Sequence, residues 1–86
     1  MAQLASMRNI GKEMERKLKA IGIGSAEELI QTGSKEAFLR LKVRFPQVCL
    51  VHLYTLQGAI DGIEYNRLTD AVKRDLKRFS DGLIGT

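Results

Sequence analysis

Apolar residues recur along this chain at the three- and four-residue intervals of an α-helix. No run alternates polar and apolar positions for long enough to form a half-buried strand. A short leading turn over residues 3–8 carries Leu4 and Met7 and stops at Asn9-Ile10-Gly11. From Lys12 the spacing Met14, Leu18, Ile21 places one apolar stripe on a helix that Gly22 ends. Ser25 and Glu28 form a predicted capping box, the hydroxyl accepting from the Glu28 amide and the carboxylate reaching back to the Ser25 amide. Ala26, Leu29 and Ile30 are then expected to face inward. Gly33 closes that helix, and Ser34 is the predicted N-cap of the next, whose buried side is Ala37, Phe38, Leu41 and Phe45 until Pro46 forbids continuation. Residues 47–62 are apolar on more than one face and predict a central helix that must be covered on several sides. After a loop over 63–68, Thr69 caps a last helix with Val72, Leu76 and Phe79 at helical spacing, and residues 80–86 are expected to fray. The fold class predicted is all-α, a compact bundle of five main helices plus a short N-terminal turn, with linkers so short that neighbouring helices turn sharply on each other.

Composition narrows the picture. With 86 residues there is room for one domain, 1–86, whose core spans about residues 8–79. A hydrophobic content of 44% against 28% charged residues excludes a disordered chain. The single cysteine, Cys49, excludes an internal disulfide, and with only His52 beside it there is no zinc set. The N-terminus lacks the basic and apolar regions of a signal peptide, and no segment approaches the ~20 apolar residues of a membrane span. A cytoplasmic protein with no membrane association is therefore expected.

The net charge of +4 raises the question of an anionic partner. Arg8, Lys12, Arg16, Lys17 and Lys19 face only Glu13 and Glu15 around and after the bend Met7-Arg8-Asn9-Ile10-Gly11-Lys12, and bases return at Lys35, Arg40, Lys42 and Arg44 and again at Arg67, Lys73, Arg74, Lys77 and Arg78. Asn9 is among the few non-glycine residues that accept a left-handed backbone, Ile10 is expected to point inward, and Gly11 leaves room for close approach. Amides at the start of the following helix lack intrahelical acceptors and suit a phosphate oxygen. Asn9-Ile10-Gly11-Lys12 resembles the helix-hairpin-helix motif of DNA-binding proteins, with Asn9 in place of the motif's first glycine. That resemblance implies phosphate contact through Asn9, Gly11 and Lys12, and the local charge adds Arg8, Arg16 and Lys17 as the surrounding field. A second turn, Gly22-Ile23-Gly24-Ser25, together with the flanking Leu18 to Ile21 and Ala26 to Leu29, resembles the helical hairpin that opens the C-terminal domain of bacterial RNA polymerase alpha subunits.

A longer resemblance runs through Asn9-Ile10-Gly11-Lys12, Leu18, Gly22-Ile23, Glu28-Leu29, the run Gly33-Ser34-Lys35-Glu36-Ala37-Phe38-Leu39-Arg40-Leu41, Phe45-Pro46, Cys49-Leu50, Leu53-Tyr54 and Leu56-Gln57-Gly58-Ala59-Ile60. By these residues the chain is similar to the C-terminal domain of TfoX/Sxy competence regulators. The resemblance implies a compact helical domain related to helix-hairpin-helix and SAM-like modules, in a family of bacterial activators of DNA-uptake genes that act with a cyclic-AMP receptor type of transcription factor. Those regulators also carry an N-terminal α-plus-β domain, for which these residues leave no room.

Nothing in the sequence argues for an enzyme. His52 has no Ser, Asp or second His at a triad or metal spacing, so it is expected to pack. Cys49 is expected as a small core residue with no basic neighbour. Tyr54 and Tyr65, without an aromatic platform, are expected to pack or to hydrogen-bond at the edge of the core. No phosphate-cradling glycine motif for nucleotides occurs, and neither a cofactor nor a small-molecule substrate is implied. Two readings remain open. The first is a regulatory module that touches DNA weakly and without sequence preference through the 9–12 hairpin. The second is a docking module in which the 47–62 helix or the last helix meets a transcription-regulatory protein or another copy of the chain.

Overall fold

A helix of this size survives only by burying one face, and the chain answers with five helices packed about a common core. The computed structural model describes residues 3–84, with a 3-10 turn at Leu4–Ser6, then α1 (Lys12–Ala20), α2 (Ala26–Thr32), α3 (Ser34–Arg44), α4 (Leu50–Asp61), a second 3-10 turn at Tyr65–Arg67, and α5 (Asp70–Ile84). No strand occurs among the described residues. Helix α4 lies in the middle, touching α3 on one side, α5 on another and the Tyr65–Arg67 turn at its C-terminal end. This is why its apolar residues are not confined to one stripe. Leu4, Ile10, Leu18, Ile23, Leu29, Phe38, Leu41, Leu53, Leu56 and Leu76 form one continuous buried cluster.

Two helices end in the same way. Gly22 (φ 91°) and Gly62 (φ 73°) adopt left-handed backbone after α1 and α4. In each turn the next amide reaches back five residues, Ile23 to the Leu18 carbonyl and Ile63 to the Gly58 carbonyl, both at 2.9 Å. These bonds satisfy carbonyls that a helix end otherwise leaves without partners, and their left-handed bend is the conformation glycine adopts at least cost.

Several local expectations require correction. Ile30 is 54% exposed rather than inward, because the two-turn helix α2 can present only Ala26 and Leu29 to the core. Ser25 does accept from the Glu28 amide at 3.2 Å, but the Glu28 carboxylate lies against the Ser25 hydroxyl at 3.3 Å rather than its amide. Ser34 is not an N-cap. It is the first residue of α3, is buried, and its hydroxyl donates to Gln57 Oε1 at 2.5 Å, tying α3 to α4.

The central helix begins at Leu50, since Val48 is buried in a turn closed by its amide on the Phe45 carbonyl at 3.0 Å. Cys49 is therefore an exposed N-cap and not a core residue. His52 reaches back as its capping partner, Nδ1 accepting from the Cys49 amide at 3.0 Å and standing 3.5 Å from Sγ. Thr69 caps α5 as expected, accepting from the Val72 amide at 3.2 Å. The anticipated frayed tail is helix as far as Ile84: Ser80 is buried and Leu83 packs on the core one turn beyond Phe79. Residues 85–86 of that expected tail lie outside the described residues.

Candidate functional site

The 9–12 bend is built as its residues dictate, with one exchange of roles. Asn9 takes the left-handed backbone (φ 72°), while Gly11 is extended (φ −94°, ψ −178°) and serves as N-cap of α1. Ile10 is buried, anchoring the bend. The Asn9 carboxamide then does what no neighbouring residue does. Its Nδ2 donates to the Ile63 carbonyl at 2.9 Å and its Oδ1 accepts from the Tyr65 amide at 3.4 Å, which clamps the bend onto the loop after α4. Gly58 of α4 makes that approach feasible, because a Cβ there would stand 2.5 Å from Asn9 Nδ2 and 2.7 Å from the Ile63 carbonyl oxygen.

The six residues expected to contact phosphate do not form one frame. Arg8 turns to Glu64, Nη1 to Oε1 3.7 Å, at a cleft of about 370 Å³ that Arg67 also lines. Arg16 is held by Glu13, with Nη2 at 2.5 Å from Oε1. This hydrogen bond and the accompanying charge draw the Glu13 carboxyl below its ordinary range and raise the Arg16 guanidinium. Lys17 stands over the Phe45 ring, 5.7 Å from its centre. Lys12 and Gly11 are exposed, and Lys12 forms no ion pair among the described residues. Helix α1 has no side-chain cap, but Glu13 and Glu15 occupy its first turn. Glu15 Oε2 accepts from the Ala5 amide at 3.2 Å, so that carboxylate too is fixed beside the bend. The carboxylates of Glu13, Glu15 and Glu64 thus share this end of the molecule with its bases.

A second feature lies across the molecule, and sequence reasoning did not single it out. Helices α3 and α5 flank α4 and leave a groove between them of about 730 Å³. Leu39 supplies one wall, Val72, Leu76 and Phe79 the other, and Gln57 of α4 part of the floor. Leu39, Val72 and Phe79 are half-buried rather than buried. One ion pair crosses the groove, Lys35 Nζ to Asp75 Oδ2 at 2.8 Å, with the same ammonium 5.6 Å from the centre of the Phe79 ring. The hydrogen bond from Lys35 and then its charge hold the Asp75 carboxyl below the usual carboxylate range. No signal in α5 alone announced it, because Val72, Leu76, Phe79 and Leu83 form an ordinary core-facing stripe.

Tyr54 donates its hydroxyl to the Lys73 carbonyl at 3.3 Å, an edge-of-core role as expected, and Tyr65 is partly exposed. Among the described residues no helix is long and apolar enough to cross a membrane.

Comparison with known proteins places this architecture. No curated protein matches the chain. A crystal structure of an uncharacterized protein from Listeria monocytogenes in a triclinic form is 44% identical, with 98% of this chain and 96% of that one covered and a TM-score of 0.95. A protein of unknown function from Listeria monocytogenes in a tetragonal form is 43% identical over 94% of this chain and 99% of that one, with a TM-score of 0.91. The TfoX C-terminal domain matches residues 1–80, across the bend, all of α1 to α4 and most of α5. The chain belongs to the TfoX C-terminal domain family.

Proposed function

We propose that this domain is a non-enzymatic regulatory module that works by docking another protein in the groove between α3 and α5. The family assignment points to a regulatory, competence-related role. The observation that carries the docking reading is the groove itself: a wall of Val72, Leu76 and Phe79 faces Leu39 across about 730 Å³, and none of the described helices fills it. Half-covered apolar surface in a concave site is where binding gains most from excluding water. The bend at Asn9 then serves as architecture, its carboxamide bonded to Ile63 and Tyr65.

A second reading keeps a nucleic-acid contact at the same bend. It is favoured by the uncapped start of α1 beside the unpaired Lys12. Such a surface neutralises roughly two to four phosphates, which gives weak binding without sequence preference and a log-log salt slope of about −2 to −4.

One experiment separates the two readings. A photo-crosslinking residue is placed at Leu39 in one variant and at Lys12 in another, in the native host. The docking reading expects a discrete protein adduct from position 39 that disappears with Phe79→Glu. Nucleic-acid adducts from position 12 that are lost with Arg8→Glu, and none from position 39, reverse the order of the two readings.

A further inference from the structure

Resting on the docking reading, we infer that the groove takes an amphipathic helix of a foreign protein whose apolar stripe is flanked by acidic residues. The shape selects a helix. The α5 wall runs from Ala71 to Phe79, about 13 Å at 1.5 Å per residue, and its apolar positions 72, 76 and 79 fall at the intervals that accept the side chains of an opposing helix. On α3, the stripe of Glu36 and Leu39 continues to Val43, which is 81% exposed and prolongs the apolar track by one turn.

Charge selects the acidic partner. Lys35 and Asp75 neutralise each other across the groove, and Arg40 and Glu36 do so on the α3 rim, Nε to Oε2 3.0 Å. Arg74 and Arg78 remain. Both are exposed, neither forms an ion pair among the described residues, and helical spacing sets them just outside the rim made by Ala71 and Asp75. The groove therefore carries an excess of positive charge along one edge, Arg74 without a carboxylate partner and Arg78 sharing with Lys35 the single carboxylate of Asp75. A carboxylate on an incoming helix gives them partners, whereas a basic or neutral flank leaves them facing like charge or none.

The same bookkeeping argues against a second copy of this chain. Helices α1, α3 and α5 each carry more Lys and Arg than Asp and Glu, so their approach sets like charge on Arg74 and Arg78. Helix α2 carries Glu27, Glu28 and the exposed Ile30, but its 7 residues form only two turns.

The test is a selection rather than a guess at one ligand. A library of displayed 16-residue helices, randomised at every surface position, is selected against the full chain and counter-selected against Leu39→Glu. Enriched helices are expected to carry an i, i+4, i+7 apolar stripe with net negative flanks. Each is expected to lose at least tenfold in affinity on Arg74→Glu/Arg78→Glu, and a helix with its flanking acids changed to Lys to regain affinity on that variant. Circular dichroism of both variants checks that they fold. Groove-dependent helices with neutral or basic flanks overturn the acidic class while leaving the docking reading standing. If no helix is enriched, or if those enriched ignore Leu39→Glu, the groove itself is not the docking site and both inferences fall.

Discussion

The bend at Asn9 and the groove between α3 and α5 lie on different parts of one small fold, and they differ in what the protein does with their binding capacity. At the bend, most side chains of the phosphate-like set already have internal partners, the Asn9 carboxamide with Ile63 and Tyr65, Arg8 with Glu64, Arg16 with Glu13, which leaves Lys12 at a helix start with no side-chain cap. At the groove the reverse holds. Lys35 and Asp75 cancel across the gap while Leu39, Val72 and Phe79 stay half-covered. A motif whose hydrogen-bonding groups are satisfied within the chain stabilises the fold. Apolar surface that the chain leaves uncovered is where another molecule gains free energy.

The sharpest way to break this contrast is to remove the space that lets the bend sit on α4. In Gly58→Ala the new methyl meets Asn9 Nδ2 at 2.5 Å, the Ile63 carbonyl oxygen at 2.7 Å and Tyr65 Cα at 3.2 Å. Two of these neighbours are backbone, so the loop must move as a whole. A loss of about 3 kcal/mol is expected, the upper end for overpacking, seen as a fall of more than about ten degrees in the thermal midpoint by circular dichroism. A midpoint within about two degrees of the parent shows that the bend is not tightly seated, and its residues then return as candidates for binding.

Asn9 allows a finer division. Asn9→Gly keeps the left-handed backbone and loses both side-chain hydrogen bonds, for an expected cost of about 1 kcal/mol. Asn9→Ala loses the same bonds and keeps a Cβ at φ 72°, where alanine lacks both the local hydrogen bonding of asparagine and the freedom of glycine, for a total of about 2 kcal/mol. Urea titration of the two variants measures the gap. If both cost the same, the backbone at Asn9 is not left-handed in solution, and a clamp that depends on that geometry is not formed.

How much of each region was legible follows from which of their interactions are local. The helices of both could be read from spacing alone, as could Ile10 turning inward and Thr69 capping α5, because those features depend on residues within one or two turns. The partner of Asn9 lies 54 residues away at Ile63, and nothing near Asn9 announces it. Ser34 was misread for a related reason: a serine after a glycine has the local form of an N-cap, yet its hydroxyl belongs to Gln57, 23 residues on. Cys49 looked like core because Val48 and Leu50 are apolar, and only the late start of α4 exposes it. The continuation of α5 past Ser80 was available in principle, since Leu83 stands four residues after Phe79, but Gly82 and Gly85 suggested an end. The groove was out of reach because it is the space between two helices that α4 holds apart, a property of packing and not of either segment.

The smallest effect concerns the ion pair that crosses the groove. Asp75 is an exposed carboxylate held below its usual range by the hydrogen bond from Lys35 and then by its charge. A depressed carboxyl contributes stability above its unfolded pKa and loses that contribution as pH falls through the lower, folded value. The bridge should therefore persist at neutral pH and open only in acid, which leaves the Phe79 wall partly screened by Lys35 under ordinary conditions. Carbon-detected NMR titration of the Asp75 carboxyl should give a midpoint below that of an unperturbed aspartate, and Lys35→Met should return it toward that value. Global stability should change little, as for most solvent-exposed pairs. An unchanged midpoint in Lys35→Met means that the bridge does not form in solution. The groove is then open on this side too, with the Asp75 carboxylate free to oppose an acidic partner, and the balance of charge that favours such a partner would rest on Arg74 and Arg78 against Asp75 rather than on two arginines alone.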